Sequence, residues 1–158
     1  MGKLNFFLGL QVKQTPKGSM ISQKKYIKEL LKRFEMESSN IIDTPIATAT
    51  HLDMDEPGSP VNRTMYRGII GTLLYLTASR PDIVFSVGLS AGFQFNPKES
   101  HLNLAKRILR YLKGTQDLVL YYPSGYNFED LIRMILTMLV IWWIGKALLA
   151  WHIFWVCV

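Results

Sequence analysis

Apolar side chains recur along this chain in three distinct rhythms. Residues 4–12, LNFFLGLQV, are rich in aromatic and branched residues and run into a turn built from Thr15, Pro16, Lys17 and Gly18. A second extended run, Ser19 to Ser22, follows at hairpin distance, so a β-hairpin is predicted, of a kind that is marginal in water by itself. From Gln23 to Met36 the spacing changes: Tyr26, Ile27, Leu30, Leu31 and Phe34 recur at three and four and share one helix face. Residues 37–62 hold Ser38, Ser39, Pro45, Pro57, Gly58 and Pro60 with little periodicity and read as a long loop.

Helical rhythm returns over 66–114, cut by Arg80-Pro81 and Asn96-Pro97, each placing Pro at a first helical position where its missing N–H costs nothing. Tyr66, Ile69, Ile70, Leu73, Leu74 and Leu76 form the first apolar face, with Gly68 and Gly71 expected to permit close helix approach. Ile83, Val84, Phe85, Val87, Leu89 and Phe93 are apolar nearly all round, which predicts a buried helix. The third helix pairs Leu102, Ala105, Ile108, Leu109 and Leu112. Asn96 with Glu99 gives it a start like a capping box, and Gly114 a C′ stop. DLVLYY, residues 117–122, reads as a short late strand. The pattern therefore predicts an α+β fold: an N-terminal hairpin, a mainly helical region, one late strand and an apolar, helix-like tail.

At 158 residues the chain is one domain's worth. Its net charge of +6 resides wholly in residues 1–128 and suits a polyanionic partner. Two helix faces concentrate the cations: Lys24, Lys25, Lys28, Lys32 and Arg33 on the first, and Lys106, Arg107, Arg110 and Lys113, with Tyr111 nearby, on the last. Each is either a solvated face or a track for a phosphate backbone, and cations near a helix C-terminus also suit its dipole. The single cysteine, Cys157, excludes a disulfide framework or a cysteine metal site. The N-terminus lacks the layout of a signal peptide, and Phe6 sits where a myristoylation motif wants Ser or Thr. Asp53, Asp55 and Glu56 lie in a flexible loop and read as a solvated patch rather than a metal site. His101, with no second histidine at metal spacing, reads as an orienting or surface residue. No Ser/His/Asp array, zinc spacing or phosphate-cradling glycine loop occurs, so no catalytic residue and no metal ligand is assigned.

The run YRGIIGTLLYLTASRPDIVFSVGLSAGFQFNPKESHLNLAKRILRYLKG, residues 66–114, resembles the block that follows the polymerase palm in the reverse transcriptase of copia-type LTR retrotransposon Pol polyproteins. FFLGLQV, QKKYIKELLKRF and the entry around Phe128, Leu131 and Ile132 extend the likeness over 1–132. The resemblance implies the end of a palm, a thumb and a connection-like region, lying just downstream of the catalytic carboxylate strand and just before a ribonuclease H domain. Family polymerases use Mg2+ held by a YVDD strand, and no such motif occurs here, so no cofactor is expected. The implied identity is a truncated remnant of an RNA-directed DNA polymerase, inactive alone. Its implied partners are an RNA or DNA backbone, touched by Lys24, Lys25, Lys28, Lys32, Lys106, Arg107, Arg110 and Lys113, and the missing palm and ribonuclease H parts of the parent polyprotein.

From Arg133 the text changes to RMILTMLVIWWIGKALLAWHIFWVCV. Two readings stand. The span 134–158 is long enough to cross a bilayer, with Trp142, Trp143, Trp151 and Trp155 as interfacial aromatics, which would make this a small membrane-anchored protein. Lys146 and His152 oppose that, the lysine by about 3 kcal/mol. Alternatively, codons permitted by residues 134–155, read one base out of frame, spell YDSDYAGYLVDRKSTSGMAHFL, which resembles the start of the family's ribonuclease H domain. On that reading 133–158 is a frame-shifted tail.

Overall fold

The computed structural model describes residues 6–7, 9–47 and 58–124. The acidic residues Asp53, Asp55 and Glu56, the boundary near 132 and the tail 133–158, frame-shifted or membrane-spanning, lie outside them. The described part is α+β: strands β1 (Phe6–Phe7), β2 (Leu10–Thr15) and β3 (Gly18–Ser22), helices α1 (Lys24–Arg33), α2 (Arg63–Leu76), α3 (Val84–Gly92) and α4 (Glu99–Gly114), and strand β4 (Leu120–Pro123). A 3-10 turn, Pro81–Ile83, precedes α3 and carries Pro at its first position, as expected.

The strands form one antiparallel sheet in the order β1-β2-β3-β4. The expected first strand is broken at Gly9, whose φ of +79° turns the chain between β1 and β2. The hairpin is tighter than expected: Thr15 pairs with Gly18 inside the ladder, leaving only Pro16 and Lys17 as the turn. Leu10, Val12 and Ile21 are buried, while Lys13 and Gln14 are exposed. The late strand is present and completes the sheet, with Ser19 opposite Tyr122 and Ile21 opposite Leu120.

The main core is helical. Ile27, Leu30 and Leu31 of α1 join Tyr66, Ile69, Ile70, Leu73 and Leu76 of α2, and Ala105, Ile108, Leu109 and Leu112 of α4, around Ile83 and Val87. These are the positions that the three-and-four spacing selects. Tyr66 lies wholly inside and donates its hydroxyl to the Ser90 carbonyl at 2.7 Å.

Five expectations are corrected. Helix α3 is not buried all round: Phe85 is 73% exposed, and its inward face carries Ser86 and Ser90 beside Val87. Those hydroxyls donate to Ile83 O at 3.0 Å and Ser86 O at 2.8 Å, so their own helix satisfies them inside an apolar core. Gly68 and Gly71 face away from the buried side of α2, with nothing within 4 Å of where a Cβ would stand, so they mediate no helix contact. Helix α4 starts at Glu99 rather than Pro97. Pro97 is held in extended chain by Val61 N–H to its carbonyl (3.0 Å) and by pairing of Pro60 with Lys98, and the N-cap is Lys98, whose N–H donates to His101 Nδ1 at 3.0 Å. Consequently His101 orients the helix start but is no surface residue; it is fully buried and stacked on Phe93, rings 3.9 Å apart. Finally, Gly114 is the last helical residue and Thr115 the cap, and the Ile41 side chain occupies the space a Cβ on Gly114 would take.

Candidate nucleic-acid interface

Helix α1 presents its cations opposite its buried face, because residues 24, 25, 28 and 32 share one side and Ile27, Leu30 and Leu31 the other. Lys25, Lys28, Lys32 and Arg33 are exposed. Lys24 is half-exposed and pairs with Asp117 beyond the end of α4. The Lys24 hydrogen bond and charge, helped by Lys28, hold the Asp117 carboxyl below the usual carboxylate range. Lys32 and Arg33 sit in the last turn, where the helix dipole favours them, whereas Lys24 stands in the first turn, against it. Asp117 offsets that misplacement.

Helix α4 treats its cations differently. Lys106, Arg107, Arg110 and Lys113 are all half-buried. Arg107 donates to Thr44 through Nε (3.2 Å, carbonyl) and Nη2 (2.9 Å, hydroxyl), and Lys113 Nζ donates to the Ser39 carbonyl at 2.6 Å. The segment after α1 therefore lies along this face, with Ile41 against Gly114. Arg110 Nε is buried without a hydrogen bond. The eight sequence candidates thus fall into two groups, an open row on α1 and a set on α4 of which two are engaged in holding a loop.

Sequence reasoning missed a polar node beside α4. Arg80 is buried and chelates Asp82 through Nε to Oδ1 (2.9 Å) and Nη2 to Oδ2 (2.6 Å). Its Nη1 donates to the Thr115 carbonyl at 3.0 Å and Nη2 to the Thr115 hydroxyl at 2.7 Å, while the guanidinium lies 5.6 Å from the Tyr111 ring centre. Tyr111 donates its hydroxyl to Asp82 Oδ2 at 2.7 Å. Burial pushes the Asp82 carboxyl up, but hydrogen bonds from Arg80 and Tyr111 outweigh it and hold the group below its ordinary value. Burial first, and then the bond to Asp82, raise the Tyr111 hydroxyl above its ordinary value. Tyr111, which the sequence places near the cationic ridge of α4, is thereby tied into the fold. The signal available was the Arg-Pro-Asp run itself, since Pro81 fixes the backbone between an acid and a base two residues apart.

Among the described residues no three His, Cys, Asp or Glu side chains come together as a metal site, and no helix is long and apolar enough to cross a membrane. What these residues define is a small basic α+β unit whose surface chemistry is cationic. The chain belongs to the Pol polyproteins of retrotransposons. It is 39% identical over 123 residues, 78% of its length, to the retrovirus-related Pol polyprotein from transposon RE1 of Arabidopsis thaliana, of which it spans 8%. It is 34% identical over 131 residues to an uncharacterized mitochondrial protein of the same plant, spanning 54% of it, and 33% identical over 127 residues to a putative transposon Ty5-1 protein of Saccharomyces cerevisiae, spanning 41%. No family model matches the chain, and no solved structure does.

Proposed function

We propose that this chain is a piece of a copia-type reverse transcriptase that does no chemistry alone and holds a nucleic-acid backbone, without regard to sequence, on the exposed lysines of α1. The supporting observation is the open row of Lys25, Lys28 and Lys32, opposite a fully packed face and free of the loop contacts that engage Arg107 and Lys113. Three lysine-to-phosphate contacts release condensed counterions, so affinity for a duplex falls with salt at a logarithmic slope of about −3. Lys24, shared with Asp117, and the half-buried Lys106 and Arg110 contribute less.

The test is fluorescence anisotropy of a labelled duplex against the full chain across a salt series. A Lys25→Ala, Lys28→Ala, Lys32→Ala triple variant is expected to weaken binding alike for unrelated sequences and to flatten the slope by about 3. Binding that is absent in the parent chain, or indifferent to salt, overturns the reading. Nucleotide incorporation on a primed template with Mg2+ checks the other half, and any extension by the chain alone refutes it.

A further inference from the structure

Phe95 is the most exposed large apolar side chain among the described residues, at 74%, yet it stands in a well-braced loop. Arg67 Nε donates to the Gln94 carbonyl at 3.3 Å, and the Gln94 amide donates back to Ala91 O at 3.0 Å. Further along, Val61 N–H to Pro97 O and Glu99 N–H to Ser59 O fasten the chain after Phe95 to the residues just before α2. The Arg63 guanidinium lies 5.3 Å from the Phe95 ring centre. An aromatic ring held out in water, with an arginine against it and a second arginine one helical turn on, is not packed for stability. Such a pairing of exposed ring and cations suits a flat group attached to an anion.

Resting on the backbone-binding reading above, we infer that Phe95 with Arg63 and Arg67 forms a stacking platform for an unpaired base of single-stranded RNA or DNA. The ring supplies a π-face that any base can use, and Arg63, with the Arg67 nitrogens that the Gln94 carbonyl leaves unbonded, answers the flanking phosphates. Glu99, the nearest acid in sequence to Phe95, lies exposed in the first turn of α4 and sets one negative charge against the two positive charges of Arg63 and Arg67. Charge complementarity therefore favours a polyanion over an acidic or neutral protein side chain. The bracing matters because a ring already in place loses little freedom on binding.

The experiment compares three labelled probes with the full chain: a short oligothymidylate, an abasic backbone of the same length, and a duplex. Phe95→Ala is expected to weaken the oligothymidylate about 5- to 100-fold while leaving the abasic strand and duplex unchanged, and Phe95→Trp to restore binding. Because the side chain is exposed, circular dichroism of both variants should match the parent. Equal binding of oligothymidylate and abasic strand by the parent, or no effect of Phe95→Ala, overturns the platform, including the case where the ring serves a protein partner. Those outcomes leave salt-sensitive duplex binding intact, whereas loss of duplex binding in the parent strikes the lysine reading instead.

Discussion

A guanidinium is tolerated in a protein interior when its donors are used, and Arg80 spends three nitrogens on four acceptors. Removing it strips two donors from the Asp82 carboxylate, which keeps the Tyr111 hydroxyl, and one from the Thr115 carbonyl, which keeps the Leu118 N–H at 3.3 Å. A fully buried pair broken in this way costs roughly 3–5 kcal/mol, and because the Asp82 side chain is 30% exposed a smaller loss, about 2 kcal/mol, is expected for Arg80→Ala in urea unfolding. Arg80→Lys should recover little, since an ammonium cannot chelate a carboxylate. The carboxyl of Asp82 is depressed in the folded chain, so its contribution is complete above the ordinary carboxylate value and disappears as pH falls below it, through the folded value. The stability gap between the parent and Asp82→Asn is therefore predicted to be constant near neutrality and to close below about pH 4. A gap that persists in acid would mean that shape rather than charge holds the node.

At the scale of elements, the face of α4 that resembles a nucleic-acid ridge in sequence is where the segment after α1 is docked. Arg107→Ala with Lys113→Ala should speed hydrogen exchange across 37–47 while leaving α1 protected, because the two side chains bond only that segment. Gly114→Ala should release the same segment by another route, pushing Ile41 from its seat. If exchange over 37–47 is unmoved in both, the segment is held by its own turns. The helices themselves were legible, because burying Ile27, Leu30 and Leu31 or Ile108, Leu109 and Leu112 requires the period the sequence displays. The ends were not. Asn96 and Glu99 have the residue types of a cap, but the choice of Lys98 and His101 depends on Pro60 and Val61, far away in the chain. Phe85 and Ser86 traded places for a related reason: hydropathy ranks serine as polar, and only the helix geometry lets its hydroxyl bond backward. The lysines of α1 and of α4 were indistinguishable in sequence, since nothing local records which face a loop will cover.

Across the described residues, the sheet is built from both of their ends, β4 reaching β3 from about a hundred residues away. Gly18 is where that pairing is tightest. Its φ of +153° is strained for any other residue, and a Cβ there would collide with the Tyr122 carbonyl oxygen and stand 3.0 Å from the Pro123 Cα. Around it, Ser124 N–H and the Tyr121 hydroxyl both donate to the Lys17 carbonyl, at 2.8 and 2.7 Å. Gly18→Ala must then either distort the hairpin or lift β4 away, and the second is the easier, because β4 is short, at the sheet edge and half-exposed. The sheet residues Leu10, Val12 and Ile21 lie outside the helical cluster, so the damage should stay local. Hydrogen exchange is expected to quicken at 18–22 and 120–123 with the amides of α2 and α4 as protected as before. Equal loss of protection in those helices would show instead that sheet and helical core unfold as one unit, and that the late strand is what joins them.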